Sequence, residues 1–480
     1  MATNWYALFP IITLSTGGLA IFMVGAFWRR RPTWVLFGLA LLTAVGAGVV
    51  TLLLPPMVPG SGGLVSMGGY SRFFTLLLMF ITIITLLFLR QYSLGHNFAG
   101  DELYAMLIFA ALGMVLTAIG TNWVIFFLGL ELMSLALYVL IAIRIGEPYS
   151  NEAGLKYFIM GAVASAFLTF GIGLVYAMTG TLQISGSMAA ALTYPGHLSV
   201  ILLGIGLIIV GVGFKTSLVP FHLWTADVYQ GSPAPITAFL STGSKVALFA
   251  ALIRFAVTAA PSVWGYCWPV LWALAVLTMA VGNITALYQT HVKRILAYSS
   301  IGQMGYLFMT LVVVREGGLP ALMFYLTIYA VMDLGAFGIV GTFSEGDADL
   351  EDLVDYQGLG YTHPWRSATL ALCLLALAGL PPTAGLMGKL VLFRAVLYGH
   401  YYALAVIGMI TVIISIYYYI NVVIHLYMRE RGGGTPVFNL DPAIGLAGAV
   451  IMAAILWLGI FPEPLLRVIS NIVAVLPKFI

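Results

Sequence analysis

Charge is scarce in this sequence. Of 480 residues, only 8% are Asp, Glu, Lys or Arg, where soluble globular domains carry about 25%. Cysteine is scarcer still: Cys267 and Cys373 are the full complement, far apart and in no CxxC pattern. That excludes a disulfide framework, an iron–sulfur cluster and a cysteine-based zinc site, so no redox centre is expected in the chain. The net charge is +3, and no basic block is long enough to follow a phosphate backbone, which excludes nucleic acid as a partner. No P-loop is present, and the glycine clusters "GLGY" and "GGGT" lack the strand–helix context of a phosphate cradle. Hydrolytic chemistry has no visible carrier either, since no Ser/His/Asp arrangement stands out.

What the sequence has in quantity is apolar surface. Hydrophobic residues make up 61% and the mean hydropathy is +1.05, a composition that suits a bilayer and not water. Each membrane span takes roughly 20 residues. Apolar runs between glycine, proline and charge punctuation give about fourteen spans, near 5–27, 33–54, 72–90, 103–120, 122–142, 154–179, 198–224, 233–257, 268–288, 295–314, 318–343, 367–398, 401–427 and 442–462. The expected architecture is an all-α polytopic membrane protein. The first run lacks a positive leader, is too long for a signal peptide, and is followed by its arginines. It reads as a retained first helix.

Lysines and arginines set the orientation. Arg29, Arg30, Arg31, Arg90, Arg144, Lys156, Lys293, Arg294, Arg366, Arg429 and Arg431 lie in or beside loops that follow odd-numbered spans. Arg72, Arg254, Arg315, Arg394, Arg467 and Lys478 lie on the opposite side. The excess places the odd loops in the cytoplasm and both termini outside. Three basic residues fit neither side: Lys215, Lys245 and Lys389 fall deep within spans. A charge at the bilayer centre costs roughly 2.5–3.5 kcal/mol on insertion scales and marks a functional interior.

Two of these lysines accompany a proline break. Pro220 follows Lys215 in the seventh span and cannot donate to the carbonyl of Thr216; Pro381 and Pro382 precede Lys389 in the twelfth. Open backbone at that depth is tolerated only inside protein or beside a water-filled cavity. The broken spans are five apart, and a five-helix unit repeated once returns upside down. The pattern therefore points to two inverted five-helix repeats, helices 4–8 and 9–13. It divides the chain into N-terminal helices 1–3 (residues 1–100), a first repeat (101–260), a second repeat (261–430), and a C-terminal helix with its tail (431–480).

Each buried charge has a plainer alternative. Lys215, Lys245 and Lys389 could hand on protons, or could simply tie down free backbone carbonyls. Glu131 in "FFLGLELMSLALYVL" is the natural counter-ion of Lys215, since nothing else acidic lies mid-span nearby. An unpaired carboxylate there would neutralise, and a structural salt bridge is compatible with both roles. Asp333 in "YAVMDLGAFG" reads as a relay carboxyl or as a protonated acid bonded to a carbonyl. His222 and Asp227, flanking Trp224 where the seventh helix exits, could link the lysine to cytoplasmic water or cap a helix end. Glu102 opens the fourth helix, where an acid offsets the helix dipole, and His425 says little alone. The acidic run "EGDADLEDLVDYQ" reads as a solvated cytoplasmic loop and a contact for a partner.

At these residues the sequence resembles a known family, the antiporter-like membrane subunits of respiratory complex I. The matching segments are "FFLGLELMSLALYVL", "EAGLKYFIMGAVASAFLTFGI", "VGFKTSLVPFHLWTADVYQGSPAPITAFLSTGSKVALF", "HVKRILAYSSIGQMGY" and "LAGLPPTAGLMGKLVLF", in order from about residue 100 to 430. The resemblance implies proton-handling roles for Glu131, Lys215, Lys245 and Lys389. Lys389 stands where one branch of the family has a glutamate, and the long C-terminal extension of another branch is not expected here. Gln303 in "SSIGQMGY" stands where some relatives have a histidine, so the central relay is expected to depend more on water. Asp333 matches no shared family acid.

The resemblance also implies that no cofactor is held by this chain. NADH, FMN, iron–sulfur clusters and quinone would belong to partner subunits, whose electron flow this chain converts into proton movement. Its implied partners are other membrane subunits, among them another antiporter-like subunit and small membrane subunits, within the lipid bilayer of a bacterial inner membrane. The residues alone leave other classes open. These are a subunit of a cation/proton antiporter or membrane-bound hydrogenase-type complex, a solute symporter (for which no substrate motif is visible), and a purely structural role for the lysines.

Overall fold

Hydrocarbon offers no partner to a backbone N–H or C=O, so long apolar stretches must close their hydrogen bonds internally as helices. The computed structural model describes residues 5–28, 33–54, 57–61, 63–193, 195–259, 261–345, 348–430 and 441–475. Arg29, Arg30, Arg31, Arg431 and Lys478, which entered the orientation argument, lie outside the described residues. The first helices are α1 (Phe9–Phe27), α2 (Thr33–Leu53), α3 (Gly69–Gly95), α4 (Asp101–Ile119), α5 (Trp123–Ile141), α6 (Pro148–Thr179) and the short α7 (Ile184–Thr193). The seventh span is α8 (Leu198–Lys215) followed, after a break, by α9 (Thr225–Gly231). The eighth is α10 (Ala234–Phe239), a π-helical turn over Leu240–Ser244, and α11 (Lys245–Thr258). Then come α12 (Pro261–Ala286), α13 (Val292–Val312), α14 (Leu319–Val340), the one-turn α15 (Leu359–Thr362), α16 (Pro364–Ala378), α17 (Ala384–Tyr398), α18 (Tyr402–Met428), α19 (Pro442–Ile460) and α20 (Glu463–Val475).

Thirteen helical segments among the described residues are long and apolar enough to cross a membrane. The expected twelfth span is divided into α16 and α17, of 15 residues each, which accounts for the fourteenth. The seventh and twelfth spans are broken where proline suggested. Two small hairpins, β1 (Met57–Ser61) with β2 (Val65–Gly68) and β3 (Ser344–Glu345) with β4 (Ala348–Asp349), lie in loops.

Lipid tails do not drive helices together, so close packing depends on small residues. Two helix pairs, α4 with α5 and α12 with α13, meet in this way. A Cβ on Gly129 of α5 would lie 2.6 Å from the Thr117 nitrogen of α4, and one on Gly305 of α13 would lie 2.6 Å from the Met279 nitrogen of α12. α14 is the hub of the second half: all but one of its residues, Pro320, are buried, so Asp333 faces protein on every side.

The basic residues of the odd loops gather at one end of the bundle. Lys156 and Arg294 both bond Asp227, while Lys293 and Arg144 reach the Asp349–Tyr92 pair. At the opposite end Arg72 donates to the Leu52 carbonyl and Arg254 to Ser66. The acidic run departs from the solvated loop expected of it. The Asp349 side chain is only 6% exposed, 3.4 Å from Lys293 and 3.3 Å from His96, and it accepts from Tyr92 at 2.7 Å. Burial alone would raise this carboxyl, but Lys293, His96 and Tyr92 outweigh it and hold Asp349 well below the usual carboxylate range.

Candidate functional site

Both broken spans end their first half in the same way. After α8, Leu218 N–H donates to the Gly213 carbonyl and Ser217 N–H to Phe214, with Ser217 at φ 62°. After α16, Leu380 N–H donates to the Leu375 carbonyl and Gly379 N–H to Ala376, with Gly379 at φ +87°. This is the Schellman closure, whose left-handed residue turns the chain out of the helix. Pro220 and Pro381 follow within three residues and prevent the helix from resuming at once.

Lys215 is the last residue of α8, and is 2% exposed. Its Nζ donates to Ser134 Oγ at 2.7 Å and to Tyr138 Oη at 3.2 Å, both on α5. It also lies over the rings of Tyr157, Tyr138 and Phe214 at 5.1, 5.3 and 5.8 Å, where the π faces attract an ammonium. Glu131 is one turn before Ser134 and accepts from Ser165 Oγ at 2.5 Å. The direct Glu131–Lys215 pair expected from the sequence is absent in this state: a serine hydroxyl of α5 occupies the lysine, and one from α6 occupies the carboxylate.

Lys245 begins α11, directly after the π turn, and is fully buried. It bonds Ser300 of α13, and its Nζ is 3.4 Å from Tyr329 Oη of α14. Lys389, on α17, donates to the Leu377 and Ala378 carbonyls at 2.8 and 2.9 Å. Those are carbonyls that the end of α16 leaves free, so the plainer structural role is realised here alongside any other. Among the described residues, none of the three lysines has a carboxylate within ion-pair distance.

Between Lys245 and Lys389 lie two separate hydrogen-bonded sets of polar side chains, with no hydrogen bond between Ser300 of the first and Ser299 of the second. Ser300 bonds Lys245, and its neighbour Ser299 bonds Tyr419 of α18. Tyr419 accepts from Gln303 Nε2 at 3.1 Å, and the same amide is 3.5 Å from the Leu377 carbonyl that holds Lys389. Gln303, where more dependence on water was expected, is held by side-chain partners, with Tyr325 donating to its Oε1. No hydrogen-bonded chain joins Lys215 to Lys245 among the described side chains. Aromatic rings fill that interval, with Tyr157 4.7 Å from Trp224 and Trp224 6.0 Å from Tyr229.

The secondary candidates separate. Asp333 joins the Lys245 cluster through Ser241 and Tyr329. Asp227 is held between Lys156 at 2.8 Å and Arg294 at 2.9 Å, an ion-pair hub that fastens α9 to α6 and α13. His222 is half-buried, with no side-chain bond to Lys215 or Asp227. Sequence reasoning missed the hydroxyl partners Ser134, Tyr138, Ser165, Ser300 and Tyr419, and also the π turn. The i,i+4 spacing of Tyr329 and Asp333 was the one available signal for the Lys245 cluster.

Three lysines are buried beside helix breaks or turns inside a bundle of some fourteen spans, Lys215 and Lys245 on hydroxyls and Lys389 on backbone carbonyls, an arrangement that fits an antiporter-like membrane subunit. Comparison with known proteins makes this specific: the chain belongs to the NADH:quinone oxidoreductase/Mrp antiporter transmembrane family, whose model matches residues 120–415. It is 44% identical over 466 residues to NADH-quinone oxidoreductase subunit N 1 of Solidesulfovibrio magneticus, covering 97% of each chain. It is 33% identical to a chain in the structure of respiratory complex I from Thermus thermophilus with bound aureothin, with a TM-score of 0.81 over 95% of this chain and 98% of that one. A chain of the Mrp complex from a Dietzia species shares the fold at 19% identity, with a TM-score of 0.84 over 99% and 98% of the two chains.

Proposed function

We propose that this chain is the N-type antiporter-like subunit of an NADH:quinone oxidoreductase, and that it moves protons across the membrane through Glu131, Lys215, Lys245 and Lys389 with intervening water. The observation that carries the reading is the burial of three lysines, at 2%, 0% and 5% exposure, with no carboxylate within ion-pair distance of any of them among the described residues. A permanent ammonium would be costly there, whereas an amine that gains and loses a proton is suited to the site. NADH, FMN, iron–sulfur clusters and quinone belong, on this reading, to partner subunits. The neighbours are another antiporter-like subunit and small membrane subunits in a bacterial inner membrane, with both termini of this chain on the non-cytoplasmic side.

Glu131 sets the state of Lys215. When the carboxylate swings from Ser165 towards the lysine, it stabilises the ammonium; when it withdraws, the desolvated ammonium releases its proton. Opposite charges about 7 Å apart attract by roughly 2.4 kcal/mol at an effective dielectric of about 20. Moving a proton against about 150 mV takes roughly 3.5 kcal/mol. Making and breaking one such pair, with a modest change in hydration, matches the demand, and a surface pair would be too weak. The proton then passes through water to Lys245 and on to Lys389, with water bridging the step between the Ser300 and Ser299 sets, and out.

Lys215→Ala and Glu131→Ala, each in the assembled oxidoreductase, are expected to lower sharply the number of protons moved per electron pair while the subunit stays inserted. Wild-type ratios in both variants would falsify the proposal. A second reading, a cation/proton antiporter subunit, is favoured by the fold shared with the Mrp chain. It predicts that the purified chain exchanges Na⁺ for H⁺ in liposomes.

A further inference from the structure

Asp333 lies fully buried in α14, one turn after Tyr329. Its Oδ2 accepts from Ser241 Oγ at 2.5 Å and from Tyr329 Oη at 3.1 Å, while Oδ1 has no protein hydrogen bond. Tyr329 Oη is in turn 3.4 Å from Lys245 Nζ and 2.7 Å from Ser300 Oγ, and 3.0 Å from the Ser241 carbonyl. One phenol therefore touches the lysine on one side and the carboxyl on the other. The irregular π turn Leu240–Ser244 brings this about, because it contains Ser241 and leads directly into Lys245; such turns recur at functional sites. The other ionisable groups beside the cluster are the Tyr229 hydroxyl on α9, whose ring lies 5.5 Å from Lys245 Nζ, and the Cys373 thiol on α16, next to Gly335.

We propose that Asp333 is the proton partner of Lys245 and that the Tyr329 hydroxyl carries the proton between them. The inference rests on the relay reading above and deepens it. In the step, an N–H bond of the Lys245 ammonium breaks and its proton joins Tyr329 Oη, as the original phenolic proton passes to Asp333 Oδ2. The phenol is regenerated, and an ammonium–carboxylate pair becomes an amine and a carboxylic acid. Charge is conserved within the cluster, and the reverse step restores both ions. The second half of the protein thus has a lysine–carboxyl couple of its own, mediated by a hydroxyl.

The test uses the complete oxidoreductase in proteoliposomes, with Lys245→Ala, Asp333→Asn, Asp333→Glu, Tyr329→Phe and the Lys245→Ala/Asp333→Asn double variant. Protons moved per electron pair are expected to fall as far in Asp333→Asn as in Lys245→Ala. The double variant should lose no more, since residues acting as one unit are non-additive. Asp333→Glu should restore part of the ratio, and Tyr329→Phe should lower it. Infrared difference spectra during turnover should show a carboxylic acid band that Asp333→Asn removes. A purely structural carboxyl would leave that band static. A wild-type ratio and unchanged spectrum in Asp333→Asn, with the ratio lost in Lys245→Ala, overturns this inference alone. A wild-type ratio in Lys245→Ala overturns the relay itself. If Asp333→Asn fails to assemble, Tyr329→Phe decides: an unchanged ratio and band overturn the inference.

Discussion

Ser217 and Gly379 hold the same place in two separate helix ends, each the left-handed residue that closes the first half of a broken span. The two positions tolerate change differently. Ser217 already accepts the strain that a side chain brings at positive φ. Gly379 faces Lys389, and a Cβ there would lie 2.9 Å from Lys389 Cδ.

Gly379→Ala should therefore cost about 1–2 kcal/mol from the left-handed backbone alone, and should also push Lys389 from the Leu377 and Ala378 carbonyls. The expected result is a lower thermal midpoint of the assembled complex together with fewer protons per electron pair. Ser217→Gly should leave both within error or slightly raise the midpoint.

On the proposed relay, Lys215→Arg keeps the charge but not the proton transfer. A guanidinium does not give up its proton in a protein, and the ring cage of Tyr138, Tyr157 and Phe214 is fitted to an ammonium. The variant should insert normally and lower the proton-to-electron ratio nearly as far as Lys215→Ala. A ratio equal to wild type would mean that Lys215 works only as a fixed charge.

The spans, the two breaks and the three lysines were legible because a charge or a proline within a long apolar run is rare enough to register by itself. The partners were not legible. Lys215 meets Ser134 across 81 residues and Lys245 meets Ser300 across 55, and nothing in composition marks one buried serine over another. The π turn before Lys245 has the same residues an α-turn would have. The inward turn of Asp349 was hidden for a different reason: in an acidic run, the residue that finds a buried lysine has the same identity as its solvated neighbours. The burial of Arg254, Lys293 and Arg366, at 3–4% exposure, escaped notice because each sits near a helix end, where solvent was the simpler expectation.

Gln303 ties Tyr419 and Tyr325 to the Leu377 carbonyl that holds Lys389. Gln303→Leu strands the Tyr325 hydroxyl that its Oε1 accepts from and takes away the amide that bonds Tyr419. A buried polar group left without a partner costs about 1–3 kcal/mol. The variant should lower the thermal midpoint and the proton-to-electron ratio together. Gln303→His keeps a donor and an acceptor and should retain more of the ratio than the leucine variant.

Asp349 fastens the loop between α14 and α16 to α3 through Tyr92 and His96, and to α13 through Lys293. Removing one member of a buried pair typically costs about 3–5 kcal/mol, so Asp349→Asn should lower the thermal midpoint strongly. The pH dependence has a definite sign. A carboxyl held below its unfolded value of about 3.9 contributes its full stabilisation above that pH, and loses it progressively as pH falls towards the native value. Thermal unfolding of the complex in detergent should therefore show a loss of stability below about pH 4 that Asp349→Asn reduces. Because this loop leads from the helix bearing Asp333 to the broken span bearing Lys389, the same variant should weaken coupling at neutral pH, where wild-type Asp349 is ionised. A variant that unfolds earlier yet pumps with an unaltered ratio would show that the tether serves stability alone.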